Sequence, residues 1–237
     1  MRRLFLPRAR LGGAEARLEP AELHYLRDVL RLAPGEAVEV FDGEGGTYAA
    51  ALGPGATLAL GPRRDTRRPG APVHLAFALA RGDRADLVVQ KATELGAARL
   101  SPFAAARSVV RLDAARGAER VRRWRRIAEE AARQCGRADV PPVDAPATLA
   151  EALAAAAPGH VRLLLYEGGG EPLASAIDRA ASGHVAIVGP EGGFTAAEVE
   201  AALAAGARLV TLGPRILRFE TAAIVAVALV QHLAGEL

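Results

Sequence analysis

The 237-residue chain has one cysteine, Cys135, one methionine and one tryptophan, and aromatic residues make up only 4% of it. A single cysteine excludes an internal disulfide and a cysteine-based metal cluster. No apolar run reaches the roughly eighteen residues at which a membrane helix becomes plausible. The opening MRRLFLPRAR has charge but no apolar stretch behind it, so no secretory signal is read and the expected compartment is the cytoplasm. The five histidines are scattered, with no pair at metal-ligand spacing. A dinucleotide-binding fingerprint, a P-loop and a G-x-S-x-G elbow are all missing. The chemistry is therefore expected to need neither a metal nor a nucleophilic serine. Lysine is nearly missing too: of 30 basic side chains only Lys91 is a lysine. With the abundance of alanine, that bias suits a GC-rich genome.

What is present describes an ordinary folded chain, 51% hydrophobic and 24% charged, long enough for one large domain or two modest ones. The net charge of +3 conceals a strong asymmetry, because residues 99–137 carry +7 and residues 138–237 carry −6. Within the basic segment, Val121, Trp124, Ala128, Ala131 and Cys135 recur at three- and four-residue steps. That spacing predicts an amphipathic helix over 118–135, with Gly136 as its C-terminal cap. Its outer face carries Arg120, Arg122, Arg123, Arg125, Arg126 and Arg133, either a solvated surface or a phosphate-binding one.

The first seventy residues read as a small β-rich unit. Residues 38–41 and 47–52 flank Asp42-Gly43-Glu44-Gly45-Gly46 as a hairpin, and a short helix is expected over 19–30 with Leu23, Leu26 and Leu30 on one face. Residues 61–70 lack large apolar side chains and have proline and glycine at both ends, so they read as a linker between domains 1–68 and 69–237. Beyond it, strands are expected at 73–80, 99–103, 161–166, 184–188 and 207–212, alternating with helices. Asp83 would cap one helix, running to Leu95, and Thr195 with Glu198 would form a capping box on another. This is the α/β pattern with a parallel sheet, in which ligands sit at loops leaving the carboxyl ends of strands. The last helix, about 220–233, is apolar nearly all round and so must be buried on both sides, intramolecularly or, the preferred reading, in a homodimer.

Three of the strand ends open into glycine loops: Tyr166-Glu167-Gly168-Gly169-Gly170, Gly189-Pro190-Glu191-Gly192-Gly193-Phe194, and Gly213-Pro214-Arg215-Ile216-Leu217-Arg218. Glycine admits a ligand close to the backbone, and the helices that follow the last two offer free N–H groups. The second loop, and the third with Glu220-Thr221-Ala222, closely resemble the signatures of the bacterial 16S ribosomal RNA uridine-N3 methyltransferases, in the SPOUT superfamily. The resemblance extends to Gln90-Lys91-Ala92-Thr93-Glu94-Leu95-Gly96, Arg107-Ser108-Val109-Val110-Arg111, Arg123-Trp124, Gln134-Cys135-Gly136-Arg137, His24 with Val29-Leu30-Arg31, and Phe41-Asp42-Gly43. Ala106 and Phe219 depart from it, standing where the family usually has Glu and often has Thr.

The resemblance implies a parallel α/β SPOUT domain with a C-terminal trefoil knot, preceded by a PUA-like β-barrel, and a homodimer that methylates uracil N3 in 16S rRNA of the small ribosomal subunit. S-adenosylmethionine would be held by Leu165, Gly189, Pro190, Glu191, Gly192, Leu212, Gly213, Ile216 and Leu217. Arg218 would stabilise the uracilate, and Glu220 would orient it or take its proton; an ion pair at the helix start is the bland alternative for both. RNA contacts would come from Arg3, Arg27, Arg31, Lys91, Arg107, Arg111, Arg122, Arg125, Arg126 and Arg137. Lys91 either meets phosphate or pairs with Glu94 one turn on. The rival readings are a SPOUT enzyme for transfer RNA, a non-catalytic RNA-binding assembly factor, and a small-molecule α/β enzyme.

Overall fold

The computed structural model describes residues 2–66, 70–108 and 114–237. They form two compact units: Met1–Arg68 with Glu129–Val140, and Pro69–Ala128 with Pro141–Leu237.

The first unit contains β1 (Arg3–Phe5), β2 (Glu15–Arg17), α1 (Pro20–His24), β3 (Ala37–Phe41), β4 (Gly46–Leu52) and β5 (Thr57–Asp65). They build a five-stranded sheet in the order β1-β3-β4-β5-β2, with β1 parallel to β3 and the other pairs antiparallel. Alternate residues of β3 and β4, among them Val38, Val40, Tyr48, Ala50 and Leu52, join one core with Leu26, which follows α1 in a π-helical turn.

The hairpin loop closes on Asp42, whose Oδ1 accepts the N–H groups of Glu44 and Gly46, both at 2.8 Å, while Oδ2 accepts Arg63 Nε at 2.8 Å. Burial pushes the Asp42 carboxyl up, but these bonds from Arg63, Gly46 and Glu44 outweigh it and hold it below the usual carboxylate range. Arg63 corrects one expectation. Residues 61–65, read as linker, belong to β5 and pair with β4 through Gly46↔Asp65, Thr47↔Arg64 and Tyr48↔Arg63. Strand pairing needs backbone groups, not apolar side chains, so a charged solvent-facing strand has no hydrophobic pattern to betray it.

Residues 129–140 also join this unit, because Ala132 and Ala138 pack on Phe41, flanked by Phe5 and Val140. Arg3 supports that seam. Its guanidinium binds Glu39 Oε1 at 2.7 Å and the carbonyls of Arg137 at 2.9 Å and Ala132 at 3.3 Å, stacked over the Phe41 ring. At 2% exposure Arg3 is an internal strut rather than a surface for RNA, which corrects the role given to it from the sequence.

In the second unit the order is β6 (Val73–Ala78), α2 (Arg84–Glu94), β7 (Arg99–Ala104), α3 (Ala114–Cys135), β8 (Ala147–Thr148), α4 (Leu149–Ala154), β9 (His160–Leu165), β10 (Glu171–Pro172), α5 (Leu173–Ala176), β11 (Gly183–Val188), α6 (Ala196–Ala204), β12 (Ala207–Thr211) and α7 (Phe219–Ala234). Unit boundaries place the last turns of α3 in the first unit. The sheet runs β10-β12-β9-β11-β6-β7-β8, and every pairing is parallel. All six residues of β6 and of β11 are buried, as expected of central strands covered on both faces.

On α3 the periodic residues Val121, Trp124, Ala128 and Ala131 are buried, but Cys135, counted with them, is exposed in the final turn. The Trp124 indole meets Phe77 edge-on and donates to Asp86 Oδ1 at 2.9 Å. Asp83 occupies the N-cap position of α2 without a side-chain cap bond, whereas Thr195 and Glu198 make the reciprocal box on α6. α7 buries Phe219, Ala223, Ala226, Val227 and Val230, while Ile224, Val225 and Ala228 are half-buried and Leu229 is 38% exposed. Within one chain, then, only one face of this apolar helix is covered. Among the described residues no helix is long and apolar enough to cross a membrane.

His74 on β6 is buried, with Nε2 2.7 Å from Ser101 Oγ, and Ser101 also bonds Asp144, the partner of Arg99. Burial, aided by Arg99, lowers the His74 pKa to about 4. The folded state thus resists a proton that the unfolded chain accepts below about 6.5. This contribution is complete above that pH, is lost as pH falls toward 4, and amounts to roughly 3 kcal/mol at most. Thermal unfolding at pH 7.5, 5.5 and 4.5 should show a shallower acid decline for His74→Gln than for the parent; parallel curves would contradict the assignment.

Candidate active site

Because β9, β11 and β12 are adjacent and parallel, their carboxyl ends, Leu165, Val188 and Thr211, lie on one edge of the sheet. The three glycine loops leave from that edge and enclose a cleft of about 440 Å³. All nine residues expected to hold a cofactor, Leu165, Gly189, Pro190, Glu191, Gly192, Leu212, Gly213, Ile216 and Leu217, line it, and so does Arg218. Tyr166 and Glu167 also contribute to the wall, though the sequence singled out only their loop.

Local packing explains why the loops hold this form. Phe194 is buried and stacks on Phe103, and a Cβ on Gly189 would come within 2.7 Å of the Phe194 ring. Gly193 has φ +67°, a conformation that favours glycine, and a Cβ there would displace the Glu167 carboxylate. Glu198 Oε2 accepts Thr195 N–H at 2.8 Å and its Oε1 accepts Ala106 N–H at 2.7 Å. Burial pushes this carboxyl up, but the Thr195 and Ala106 bonds hold it below the usual range. Arg107 Nη1 donates to the Gly192 carbonyl at 3.0 Å, so a residue expected on RNA is engaged with the second loop.

Arg218 is the exposed N-cap residue of α7. Glu220 follows in the first turn; its Oε2 is shut off from solvent and accepts no hydrogen bond among the described residues. Among the described residues no ion pair joins Arg218 to Glu220, the expected alternative. The cation nearest Glu220 Oε2 is Arg84 Nε, 4.0 Å away, and Arg84 Nη1 donates to Glu191 Oε1 at 2.6 Å. Sequence reasoning missed Arg84, and nothing local in Arg81-Gly82-Asp83-Arg84 marks it, since both acidic neighbours are more than a hundred residues away.

The residues expected on RNA fall in both units, and several have partners within the chain. Lys91 Nζ pairs with Glu94 at 2.8 Å, the second of its two options. Arg27 donates to the Gly55 carbonyl, Arg125 to the Val143 carbonyl, and Arg137 pairs with Asp139. Arg122 and Arg126 are exposed on α3, and Arg31 is exposed in the left-handed region at φ 55°. Arg111 lies outside the described residues.

Comparison with known proteins agrees with this geometry. A family model described as RNA methyltransferase domain matches residues 67–231, and one described as RNA methyltransferase PUA domain matches residues 18–54. Ribosomal RNA small subunit methyltransferase E of Synechocystis sp. is 35% identical over 227 residues, covering 93% of this chain and 74% of the relative. The chain belongs to the ribosomal RNA small subunit methyltransferase E family. The member from Mycobacterium bovis is 36% identical over 226 residues, covering 92% of this chain and 86% of its own. A family structure from Neisseria gonorrhoeae, bound to S-adenosyl methionine, superposes with a TM-score of 0.87 at 33% identity, covering 98% of each chain. Membership accounts for both the parallel α/β unit and the smaller PUA-like sheet.

The Glu167–Gly193 contact can be tested directly. Gly193→Ala should cost about 1–3 kcal/mol, from the positive φ and the displaced carboxylate. Chemical denaturation measures it, and an unchanged midpoint would show that neither the backbone conformation nor the carboxylate constrains this position.

Proposed function

We propose that this chain transfers a methyl group from S-adenosylmethionine to N3 of a uridine in small-subunit ribosomal RNA. The observation that carries the reading is the cleft formed by three loops, with Arg218 on its wall and Glu220 in the first turn of the adjoining helix. The cleft fits the donor in volume and chemistry. Leu165, Leu212, Ile216 and Leu217 supply apolar wall for an adenine ring, the glycine loops bring backbone groups close, and Glu167 and Glu191 suit hydroxyl or ammonium groups. Gly189, Pro190, Gly192 and Gly213 complete the set that would hold it. When bound, the donor supplies a methyl group on a positively charged sulfur.

Uracil N3 is a poor nucleophile while protonated, so the chain must orient the base, remove its proton and balance the charge that spreads onto O2 and O4. Arg218 serves the last need. Glu220 serves the second, because its buried unpartnered oxygen lacks a donor that N3–H would provide. Glu220 would take the proton from N3, and the lone pair this leaves on N3 would be free to accept the methyl group that the donor supplies.

Of the described residues expected on RNA, Arg31, Arg122 and Arg126 are exposed and free to meet the RNA backbone, and Arg27, Arg107, Arg125, Arg137 and Lys91 must release or share their present partners to join them. Action on small-subunit RNA supports a cytoplasmic location. The half-open apolar face of α7 supports a homodimer, and sedimentation should give twice the chain mass, reduced to one chain by Leu229→Glu. The strand order, with β12 seated between β10 and β9, supports a trefoil knot among the cleft loops.

Labelled S-adenosylmethionine incubated with small subunits lacking the modification, followed by nucleoside analysis, should yield N3-methyluridine. A different methylated nucleoside, or label only in transfer RNA, would refute the assignment. Arg218→Ala should slow transfer at least about a hundredfold with little change in donor affinity. In the same preparations, Arg122→Ala with Arg126→Ala should weaken RNA binding and flatten its salt dependence.

A further inference from the structure

Arg84 opens α2, and its guanidinium lies between two carboxylates, one on the Gly189–Phe194 loop and one in the first turn of α7. Nη1 donates to Glu191 Oε1 at 2.6 Å, on the loop that follows β11. Nε stands 4.0 Å from Glu220 Oε2, on the helix that follows the β12 loop, too far for a hydrogen bond but within reach of strong electrostatic attraction. That oxygen has no other partner among the described residues and no contact with solvent. A buried carboxylate oxygen without a donor is costly unless a charge balances it or a ligand completes it.

We propose that Arg84 is a positioning residue for methyl transfer: it balances the charge of Glu220 while leaving Oε2 free to take the base proton, and through Glu191 it ties that carboxylate to the donor loop. The inference rests on the role given to Glu220 above. The 4.0 Å gap is its basis. A direct bond from Arg84 would occupy the oxygen, whereas a cation held back by Glu191 leaves the oxygen open to a donor. Arg84 is 44% exposed on its side chain, so its charge reaches Glu220 from the open side of α2 rather than from the core. It needs no contact with substrate or donor.

The test is a double-mutant cycle read by single-turnover transfer from labelled S-adenosylmethionine, at saturating concentration, to small subunits lacking the modification. Calorimetry of S-adenosylmethionine binding runs in parallel on each variant. Arg84→Gln should slow transfer about tenfold, the factor expected for losing one charge interaction in the transition state, while donor affinity stays within about twofold. Arg84→Lys should recover most of the rate. In a Glu220→Gln background, Arg84→Gln should add less than about a twofold loss, because the group through which it acts is already gone. Equal slowing in both backgrounds would overturn the proposal, as would a full rate for Arg84→Gln. A loss of donor affinity large enough to explain the slowing would overturn it too, by placing the effect of Arg84 in Glu191 alone. A full rate for Glu220→Gln is a different result, refuting the role of Glu220 itself. Thermal midpoints confirm that each variant is folded.

Discussion

Everything the cleft does depends on the parallel pairing of β9, β11 and β12. Parallel strands present their carboxyl ends on the same edge, so three loops that are far apart in the chain leave the sheet side by side. The central strands are buried along their whole length, which makes the floor beneath those loops rigid. Aromatic anchors then fix the loops from below: Phe194 stacks on Phe103, and Phe219 packs near Phe77 at the start of α7. Gly189 leaves room for the Phe194 ring, and Gly193, at positive φ, leaves room for the Glu167 carboxylate.

The arginine-rich composition serves two purposes that the residue counts do not separate. Some guanidinium groups are structural. Arg3 binds Glu39 and two carbonyls inside the first unit, and Arg208 binds Glu171 and the carbonyls of Ser175 and Ala176. A planar group with five donors can satisfy several acceptors at once, which an ammonium does less well. Others, such as Arg122 and Arg126, stand in solvent. The basic segment therefore offers fewer free cations at its surface than its charge of +7 suggests. The single lysine, held by Glu94, is part of α2 rather than a free cation.

Much of this architecture was legible beforehand. The hairpin around Asp42, the capping box of Thr195 and Glu198, the buried strands of the second unit and the apolar last helix all follow from patterns spanning a few residues. The glycine loops were legible as a set, and all nine donor-site candidates do face one cleft. Three features were not. Strand β5 runs through a charged segment that reads as linker, residues 129–140 belong with the first unit, and Arg3 is buried. In each case the deciding partner lies in another strand or helix, so no periodicity records it.

Sequence alone determined the local elements and the kinds of residue at the strand ends, because capping, turn formation and amphipathic burial act between neighbours in the chain. Tertiary structure alone decided which of those residues meet. Arg84 reaches Glu191 and Glu220 only because strand order places α2 beside two loops more than a hundred residues downstream. The attraction between these groups falls off with distance in space and is indifferent to separation along the chain.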